Sequence, residues 1–493
     1  MFSSFSMSVF EGLAVALIVA VGLVIAVLAV MFVIDRTQTQ DAIRRNYPVV
    51  GRFRYVFSAL GEFFRQYFFA MDREELPFNR AQRDWVKHTA GGGSSTLAFG
   101  STRNLTVAGT PIFTNAAFPP LDNQFAKTEP LTIGPNARVP YAAPSIFNLS
   151  GMSYGAISKP AVQALSRGCA KAGVWMNTGE GGLSPYHLEG GCDIVFQMGT
   201  AKYGVRDAAG KLDDNALRKV AAHDQVKMIE IKLAQGAKPG KGGILPGAKI
   251  TPEIAKIRGI NEGEDSISPN RHVEIDDWDD LLDFLSHIRE VTGKPVGIKT
   301  VFGAEQAFRD MLETIKKRGE GMAPDFITLD GGEGGTGASP LPLMDLVGVS
   351  IKEALPEVAG LLREYGLKQR IKLVASAKLM VPGDVAWALA AGADFVTSAR
   401  GFMFSLGCIQ AMKCNMNTCP TGITTHDPRF QKGLVPEDKY KKVARYAKSI
   451  VKEVETIAHS VGVAEPRQLK RQHVRMVQDT GQSVPLDVLY PDK

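Results

Sequence analysis

The chain has 493 residues, 45% of them hydrophobic and 22% charged, with a formal net charge of +6. Such a length is sufficient for one large core or two ordinary ones. The mild charge, with no stripe of Arg and Lys among aromatic residues, argues against a nucleic-acid partner. Fifty glycines gather in runs, which is typical of loops whose backbone lies close to a ligand.

The amino-terminal segment Gly12–Ile34 contains no charged residue and would form a helix of about 35 Å, long enough to cross a bilayer. A signal peptide would need basic residues before the run, whereas Glu11 precedes it and Asp35 follows it. A buried core helix is the other alternative, although such helices seldom lack polar residues for so long. The arginines after the run are Arg36, Arg44, Arg45, Arg52 and Arg54. They predict a single-pass anchor in the cytoplasmic (inner) membrane, with the rest of the chain in the cytoplasm.

The segment Tyr55–Met71 is rich in Phe and Tyr. It is expected to form a helix that lies on the membrane surface or, equally well, packs on the catalytic domain. The glycines and serines of 91–95 predict a flexible break. Leu97–Ala143 is polar, contains prolines and lacks helical periodicity, so strands and loops are expected there.

From Ile146 onward, short apolar strands alternate with helical patterns, which predicts an α/β fold with parallel strands. The candidate strands are Ile146–Leu149, Val174–Asn177, Ile194–Gln197, Met228–Lys232, Val296–Val301, Phe326–Leu329, Ile371–Ala375 and Phe395–Thr397. The helical patterns include Trp278–Thr292, Glu305–Arg318 and Ser350–Tyr365. Eight strands over about 255 residues predict a (β/α)8 TIM barrel. A doubly wound sheet is the alternative, but no strand is followed by G-x-G-x-x-G opening a helix.

The loops after the strands are where a barrel carries its chemistry. The first, Ser150–Ala156, is small and glycine-rich and would suit a flat ring close to the backbone. The second holds Glu180 between glycines, where a carboxylate can serve a substrate amine or proton transfer, or simply face solvent in a turn. Lys238 and Arg258, both after strand four, are candidates to hold a substrate carboxylate. Lys299 ends strand five and would place an ammonium near an electron-accepting ring.

The loop after strand six, Asp330–Pro340, is the richest in glycine, and its consecutive N–H groups could form an anion nest. It is not a Walker loop, because no Gly-Lys-Ser/Thr follows. The loops after strands seven and eight contain Ser376, Lys378 and Arg400, at the place where barrels often bind a cofactor phosphate.

Three of the five cysteines, Cys408, Cys414 and Cys419, follow as Cys-x5-Cys-x4-Cys-Pro. In a reducing compartment this spacing favours an iron–sulfur site over disulfides, and it lacks the four ligands of a zinc module. Three ordinary buried thiols are the alternative. Cys169 and Cys192 have no such spacing, and Cys192 is a remote alternative fourth ligand, which would favour [4Fe–4S]. A phosphate site beside an iron–sulfur loop predicts a flavoprotein that transfers electrons.

These loops together resemble the FMN-binding synthase domain of glutamate synthase, over about Pro144–Gly462. The motifs are Gly-Met-Ser-x-Gly-Ala at 151–156, Gly-Glu-Gly-Gly at 179–182, Glu-Ile-Lys-x-Ala-Gln-Gly-Ala-Lys-Pro-Gly at 230–240, Asp-Gly-Gly-x-Gly-Gly-Thr-Gly-Ala-Ser-Pro at 330–340 and the cysteine run with Pro420. The resemblance implies FMN in the barrel mouth and a [3Fe–4S] cluster on Cys408, Cys414 and Cys419. It also implies an oxidoreductase of the EC 1.4 class that reduces 2-iminoglutarate, formed from 2-oxoglutarate and ammonia, to L-glutamate.

By the same resemblance, Lys238 and Arg258 bind the substrate carboxylates, and Glu180 lies near the reacting nitrogen. Glu180 and Lys238 are the predicted catalytic residues. The residues predicted to hold FMN are Ser150, Gly151, Met152, Ser153, Asn177, Gln197, Lys232, Lys299, Asp330, Gly332, Gly334, Gly335, Thr336, Ser376, Lys378 and Arg400.

Three departures from the family pattern bear on function. No glutaminase domain precedes the synthase motifs, so we expect ammonia rather than glutamine as nitrogen source. Ile244 stands where the family usually has a glutamine that helps bind 2-oxoglutarate, which could cost about 1–3 kcal/mol of binding or indicate another substrate. No dinucleotide-binding domain is present, so electrons are expected from ferredoxin or a membrane redox partner.

Two other functional hypotheses stay open. One is a membrane-tethered flavoprotein that acts on another substrate and exchanges electrons with a quinone or a protein. The other is a non-catalytic scaffold or amidotransferase partner, which retention of Glu180, Lys238 and all three cysteines disfavours. A 2-hydroxy acid oxidase is disfavoured because no His with a nearby Arg follows strand seven.

The carboxyl end has the apolar spacing of an amphipathic helix over Pro436–Val461. Lys439–Arg475 is basic and could dock an acidic carrier or anionic lipid, or be a solvated surface. The predicted organisation is an anchor at 1–35, a juxtamembrane and linker segment at 36–143, a barrel with an iron–sulfur loop at 144–430 and a basic helical extension at 431–493.

Overall fold

The computed structural model describes residues 2–491, with side chains for residue 7 and for 9–491. The chain forms two compact units, which meet in sequence at Ala81 and Gln82. The segment 36–143, predicted as one juxtamembrane and linker region, is therefore divided between the two units.

The amino-terminal unit begins with the helix Phe2–Thr37. Its part Val9–Thr37 is, by length and composition, apolar enough to cross a membrane, and its apolar side chains are exposed. In the last turn of this helix Asp35 is buried, and its carboxylate lies 2.6 Å from Arg44 Nη2 and 2.7 Å from Arg52 Nη2. Two of the five arginines are thus paired with the end of the helix.

The next elements of this unit are the helices Ala42–Asn46 and Val50–Phe64 and a π-helical turn at Arg65–Phe69. The aromatic segment is therefore helical over most of the predicted range. Phe57 and Phe68 are each 67% exposed. The location of the aromatic segment on a membrane surface stays a prediction.

The second unit contains a closed barrel of eight parallel strands, which we number in chain order. They are β1 (Phe147–Leu149), β2 (Met176–Asn177), β3 (Ile194–Met198), β4 (Val226–Lys232), β5 (Val296–Thr300), β6 (Phe326–Asp330), β7 (Lys372–Ser376) and β8 (Phe395–Ser398). Each strand pairs with the next, and β8 closes the ring by pairing Thr397 with Asn148 of β1. The predicted TIM barrel is confirmed, with strand ends shifted by one or two residues, and the open sheet is excluded.

The helices of this unit lie mainly between the strands. The longer ones are Arg80–Gly91, Lys159–Ala172, Asp214–Ala221, Trp278–Thr292, Glu305–Arg318, Ile351–Glu364, Pro382–Ala391 and Pro436–Val461, and the shorter ones are Pro185–Leu188, Pro252–Arg258, Leu341–Leu346, Arg400–Leu406, Pro428–Gln431 and Leu486–Leu489. Local capping explains the ends of Trp278–Thr292: Asp277 accepts a hydrogen bond from the Asp280 amide at its start, and Gly293, with a φ of 70°, ends it.

Segments that precede and follow the barrel in the chain form small sheets and pack on it. The strand Pro111–Phe113 pairs antiparallel with Val474–Val477, which pairs in turn with Ser483–Pro485, and Leu131–Ile133 pairs with Tyr141–Ala143. The helix Pro436–Val461 packs on Lys159–Ala172, where a Cβ at Gly168 would collide with Val443.

One basic residue of the carboxyl end has a structural role. Arg471 is 4% exposed and donates to the carbonyl oxygens of Pro356 and Tyr490, each at 2.6 Å. The expectation that the whole basic segment faces a partner or solvent is therefore wrong for Arg471.

A long excursion, residues 233–277, separates β4 from the next barrel helix. It contains two short strands, Ile244–Leu245 and Ser266–Ile267, which pair with each other, a 3-10 turn Gly247–Lys249 and the helix Pro252–Arg258. It begins at the carboxyl end of β4 and brings Arg258 to within 3.4 Å of Ser153 in the loop after β1. It therefore supplies side chains to the barrel mouth.

Candidate active site at the barrel mouth

The barrel interior changes from apolar to polar toward the carboxyl ends of the strands. The apolar layer includes Val195, Met228, Phe326, Val374 and Phe395. Because side chains two residues apart in a strand share a face, the next inward layer comes two residues later in each strand. That layer consists of Gln197, Glu230, Thr328, Ser376 and Thr397, all of them buried. Polar groups therefore occupy the space between the apolar core and the mouth.

Glu230 is the centre of this polar layer. Its Oε2 accepts hydrogen bonds from Asn177 Nδ2 at 2.8 Å and Gln197 Nε2 at 2.5 Å, and its Oε1 accepts from Thr328 Oγ1 at 2.6 Å. Asn177 Oδ1 in turn accepts from the Gly179 amide at 2.9 Å. Neutral donors thus satisfy the buried carboxylate, and the network holds the loop that carries the next acidic residue.

That residue, Glu180, lies at the mouth among cations. Lys232 Nζ is 2.7 Å from Glu180 Oε1 and 2.9 Å from Gln235 Oε1. Lys238 and Arg258, from the excursion after β4, are 5% and 4% exposed. No hydrogen bond or ion pair joins Lys238 Nζ to the part of the chain that the structure describes. Three cations therefore share one carboxylate.

The charges at the mouth alter the pKa values of the groups there. Burial by itself would raise the pKa of Glu180, but Lys232, with Lys238 and Arg258, lowers it to about 2. Burial, together with the charge of Lys232, lowers the pKa of Lys238 to about 8, although Glu180 acts in the opposite direction. At neutral pH Glu180 is ionised and Lys238 is mostly protonated.

Arg258 is held at the mouth by weak contacts. Its Nη2 lies 3.4 Å from Ser153 Oγ and 3.5 Å from the Tyr154 carbonyl oxygen, and the guanidinium is 5.0 Å from the centre of the Tyr203 ring. Its Nε is buried without a hydrogen-bond partner among residues 2–491. A planar ligand such as a carboxylate would satisfy these donors in bidentate fashion.

Two glycines leave space for the Glu180 carboxylate. A Cβ at Gly243 would lie 2.7 Å from Glu180 Oε1, and one at Gly199 would collide with Oε2. Any larger residue at these positions would displace the carboxylate from Lys232.

A second charge pair lies on the other side of the mouth. Lys299 Nζ is 3.4 Å from Asp330 Oδ2, which also accepts from the Gly236 amide at 3.0 Å. Burial by itself would lower the pKa of Lys299, but Asp330 and Glu230 raise it above its ordinary value. Lys299 is therefore a fixed positive charge beside the Glu230 layer.

The glycine loop after β6 uses several of its amides within the chain. The N–H groups of Gly331, Gly332 and Gly334 donate to the carbonyl oxygens of Ser376, Val349 and Gly331, each at 2.8 Å. The expected anion nest does not form from these three amides. Contact of Gly332 and Gly334 with a cofactor stays a prediction.

Arg400 connects the glycine loop to the cysteine loop. Its Nη2 donates to the Thr336 carbonyl oxygen, and its Nη1 lies 3.7 Å from Cys414 Sγ. A Cβ at Gly335 would lie 3.2 Å from Arg400 Nε. The loops after β6 and β8 are therefore close to each other at the mouth.

The three cysteines of the predicted cluster are free thiols in one loop. Burial raises the pKa of Cys408, and for Cys419 hydrogen bonds from Thr421 and Thr424 outweigh burial and lower the pKa. Within residues 2–491, no group of three or more His, Cys, Asp or Glu side chains is arranged to hold a metal ion. Cys169 and Cys192 are buried, as expected.

Comparison with known proteins assigns the chain to a family. The family model described as the conserved region in glutamate synthase matches residues 122–464. The chain belongs to the glutamate synthase family. The glutamate synthase large subunit-like protein YerD of Bacillus subtilis (strain 168) is 39% identical, over 97% of this chain and 99% of its own length.

More distant relatives match about two thirds of the chain. The archaeal-type glutamate synthase [NADPH] of Thermotoga sp. (strain RQ2) is 34% identical over 64% of this chain, which covers 59% of that relative's length. Among solved structures, a flavocytochrome b2 mutant with pyruvate bound has a TM-score of 0.46 at 15% identity, covering 83% of this chain and 87% of that one. The latter similarity is too distant to bear on function.

The structure brings together the residues that the glutamate synthase motifs predict for substrate, namely Glu180, Lys238 and Arg258. Several residues predicted for FMN lie around an internal cavity beneath them. Its lining includes Ser150, Asn177, Glu230, Lys299 and Thr397. A Cβ at Gly151 would lie 2.9 Å from Asn177 Oδ1, so only glycine fits there. Met152, Ser153 and Ser376 are buried, and Lys378 is half-buried in the loop after β7.

Sequence reasoning missed Glu230, Tyr203 and Lys249. A signal existed for Glu230, because it is a charged residue inside an apolar strand, two positions before Lys232 and hence on the same inner face. No local signal marked Tyr203 or Lys249, whose positions depend on how the excursion after β4 folds.

Proposed function

We propose that the chain is an FMN- and iron–sulfur-dependent oxidoreductase that reductively aminates 2-oxoglutarate with ammonia to give L-glutamate. The observation that carries this proposal is the excess of positive charge at the barrel mouth. Lys232, Lys238 and Arg258 face the single carboxylate of Glu180. A dicarboxylate substrate would neutralise the remaining two charges, and membership of the glutamate synthase family supports the same substrate class.

The residues divide the binding task by their chemistry. The Arg258 guanidinium, which keeps an unpaired buried Nε, suits bidentate contact with one carboxylate. The Lys238 ammonium offers three donors to the other carboxylate or to the 2-oxo group. Both side chains are buried, so their interactions with an anion are little screened by solvent.

Glu180 acts on the nitrogen. Ammonia adds to the carbonyl carbon of 2-oxoglutarate and water leaves, giving 2-iminoglutarate, whose C=N bond takes up two electrons and two protons to become L-glutamate. A carboxylate with a pKa of about 2 is too weak a base to hold a proton at neutral pH. Its role is to accept hydrogen bonds from the nitrogen and stabilise the positive charge of the protonated imine.

The residues around the cavity fit FMN. Thr397 Oγ1 is buried without a partner in the described chain, and Lys299 provides a buried positive charge. The flavin ring would be held by Ser150–Ser153, Asn177, Gln197 and the glycine loop after β6. The phosphate would be bound by Ser376, Lys378 and Arg400. FMN, when bound, supplies the two electrons.

The cysteine loop fits a [3Fe–4S] cluster by its donor set. Ligands of one metal ion must converge on a point, whereas each iron of a cluster takes its own thiolate, so cluster ligands are spread apart. Cys408, Cys414 and Cys419 are the only thiols of this loop, and Arg400 lies beside Cys414. The cluster, when bound, would pass electrons from a partner protein toward the mouth.

The enzyme also needs an electron donor and a location in the cell. We propose ferredoxin or a membrane redox partner as donor, and a single-pass helix at Val9–Thr37 that tethers a cytoplasmic catalytic unit to the inner membrane. The length and exposed apolar side chains of that helix support the tether.

The test uses the full chain purified in detergent under anaerobic conditions. The protein is reduced with dithionite or ferredoxin, 2-oxoglutarate and ammonium are added, and reoxidation of the flavin absorbance band is followed together with a glutamate assay. We expect glutamate in proportion to the flavin reoxidised, and its loss in Lys238→Ala when 2-oxoglutarate is supplied near the parental KM. A protein with intact flavin and iron but no turnover would refute this reaction.

The position of Ile244 favours one alternative, a flavoprotein that acts on another substrate and exchanges electrons with a quinone or protein partner. Ile244 follows Gly243, which faces the Glu180 carboxylate, and it is half-buried and paired with Ile267. An apolar residue next to that glycine, where the family pattern has an amide, would suit a less polar substrate. A panel of 2-oxo acids with apolar side chains, tested for flavin reoxidation, distinguishes the two.

A further inference from the structure

Lys249 is a buried lysine without a carboxylate partner. It ends the 3-10 turn Gly247–Lys249 in the excursion after β4, and it is 2% exposed. Its Nζ donates to the Ala156 carbonyl oxygen at 2.7 Å and to the Cys414 carbonyl oxygen at 3.2 Å. Among residues 2–491, no ion pair to this ammonium is found. Two carbonyl groups solvate it, but they leave its charge uncompensated.

A buried ammonium without a counter-charge is costly, and proteins generally pair such groups. The Lys249 ammonium contacts the cysteine loop at the Cys414 carbonyl oxygen, and cluster-bound thiolates of that loop would supply a counter-charge. The charge that compensates Lys249 therefore lies in the cysteine loop.

Arg400 is a second cation near the same loop. It comes just before the cysteines in the chain, whereas Lys249 belongs to the excursion after β4. Its Nη1 is 3.7 Å from Cys414 Sγ, so one cysteine has a guanidinium at its sulfur and an ammonium at its carbonyl oxygen. This placement suits a cysteine site that carries net negative charge.

The turn that carries Lys249 also holds the conformation of the cysteine loop. Asn417 Nδ2 donates to the Ala248 carbonyl oxygen at 3.1 Å. Asn417, Gln410 and Met412 have φ values of 57°, 59° and 50°, a region that residues other than glycine seldom adopt. Contacts from the excursion after β4 therefore help to keep a strained loop in place.

We propose that Lys249 is a positioning residue that fixes the cysteine loop against the barrel mouth and supplies the buried counter-charge of the group that the three cysteines hold. The inference rests on the proposed iron–sulfur cluster. A thiolate-bound cluster becomes more negative on reduction, and a nearby buried cation stabilises the more negative form. Lys249 therefore raises the reduction potential of the cluster. Through its two hydrogen bonds it also connects the cysteine loop to Ala156 in the loop after β1.

The experiment compares four full-length variants with the parental protein, purified anaerobically in detergent. Lys249→Met removes both charge and hydrogen bonds, Lys249→Gln keeps a donor without the charge, and Lys249→Arg keeps the charge. Lys256→Met is the matched control, because Lys256 is an exposed lysine in the same excursion. Iron and acid-labile sulfide per chain are measured, and the midpoint potential is obtained by a redox titration followed by electron paramagnetic resonance.

We expect the midpoint potential to shift to more negative values in Lys249→Met and Lys249→Gln, to stay near the parental value in Lys249→Arg and to be unchanged in Lys256→Met. If Lys249→Met loses iron or does not fold, Lys249→Gln against Lys249→Arg still separates charge from hydrogen bonding. Loss of iron in Lys249→Gln but not in Lys249→Arg would also support the counter-charge role.

Two failures are distinguishable. A parental protein without iron and sulfide refutes the proposed cluster itself. An iron-loaded Lys249→Gln variant with the parental midpoint potential refutes the role of Lys249 and leaves the cluster in place.

Discussion

The barrel interior around Glu230 and the barrel mouth around Glu180 each contain a carboxylate, but their surroundings differ. Glu230 accepts hydrogen bonds from Asn177, Gln197 and Thr328, so its oxygens and those donors satisfy each other. Glu180 faces three cations, and Lys238 has no partner among the described residues. A closed network of neutral donors stabilises a fold, whereas an open excess of charge is costly unless a ligand completes it. The comparison therefore separates the scaffold from the binding site.

The largest expected effect tests the mouth. Glu180→Gln removes the negative charge that we propose stabilises the substrate nitrogen, so kcat/KM for ammonia-dependent glutamate formation should fall about 10²–10³-fold. Thermal stability should also fall, because the variant leaves Lys232, Lys238 and Arg258 without a buried counter-charge, so the assay is made at a temperature at which the variant is folded. Glu262→Gln, at an exposed position of the excursion, is the control. If Glu180→Gln keeps the parental kcat/KM, Glu180 does not take part in the reaction.

The next effect tests the interior. Glu230→Met leaves three buried donors without an acceptor, and the free energy of unfolding should fall by about 3–5 kcal/mol. Thr328→Val, which removes one donor and leaves the carboxylate two partners, should cost about 1 kcal/mol. Urea denaturation in detergent, followed by circular dichroism, measures both. Equal losses in the two variants would show that Glu230 is not the centre of the network.

Lys238→Met tests whether the unpaired ammonium binds substrate. A charged hydrogen bond contributes about 1.5–3 kcal/mol, so KM for 2-oxoglutarate should rise about 10–150-fold. Because burial disfavours the Lys238 ammonium, the free energy of unfolding should not fall. Lys241→Met, an exposed lysine of the same loop, should retain the parental KM. A stability loss with unchanged KM would assign Lys238 to the scaffold instead.

The pH dependence follows from the same lysine. Its pKa of about 8 lies below the usual value of a lysine, so the substrate-binding ammonium is present below pH 8 and is lost as the pH rises through 8. We expect kcat/KM for 2-oxoglutarate to decline above about pH 8. Lys238→Arg, which stays charged, should lack this decline. Since the unfolded chain holds this proton up to higher pH, the contribution of Lys238 to stability should rise above pH 8.

The smallest effect concerns Ile244. Ile244→Gln introduces the amide of the family pattern, and one added hydrogen bond of about 0.5–1.5 kcal/mol should lower KM for 2-oxoglutarate about 2–10-fold. Steady-state assays of both proteins, with pyruvate as a second 2-oxo acid, provide the measurement. A higher KM in the variant would favour a different substrate for the parental protein.

Local patterns in the sequence predicted the barrel well. The alternation of short apolar runs with helical periods predicted all eight strands, and the helices Trp278–Thr292, Glu305–Arg318 and Pro436–Val461 have the predicted bounds. The caps Asp277 and Gly293 are local, so neighbouring residues determine the ends of Trp278–Thr292.

The site was less predictable where it depends on distant parts of the chain. The sequence indicated Glu180, Lys238 and Arg258, but not that the partners of Glu230 come from β2, β3 and β6. The glycine loop after β6 was expected to offer its amides to an anion, yet Gly331, Gly332 and Gly334 donate to the chain itself. Whether an amide is used internally depends on which carbonyl groups folding brings near it.

The sequence by itself determined the order of strands and helices, the apolar character of the amino-terminal helix and the residue types at the barrel mouth, because periodicity, caps and glycine runs are properties of neighbouring residues. Only the tertiary structure decided which charges meet. The excursion after β4 places Arg258 beside Ser153 and Lys249 beside Cys414, across 105 and 165 residues of chain. Such contacts arise because barrel closure brings the carboxyl ends of all eight strands together, a condition that no local segment contains.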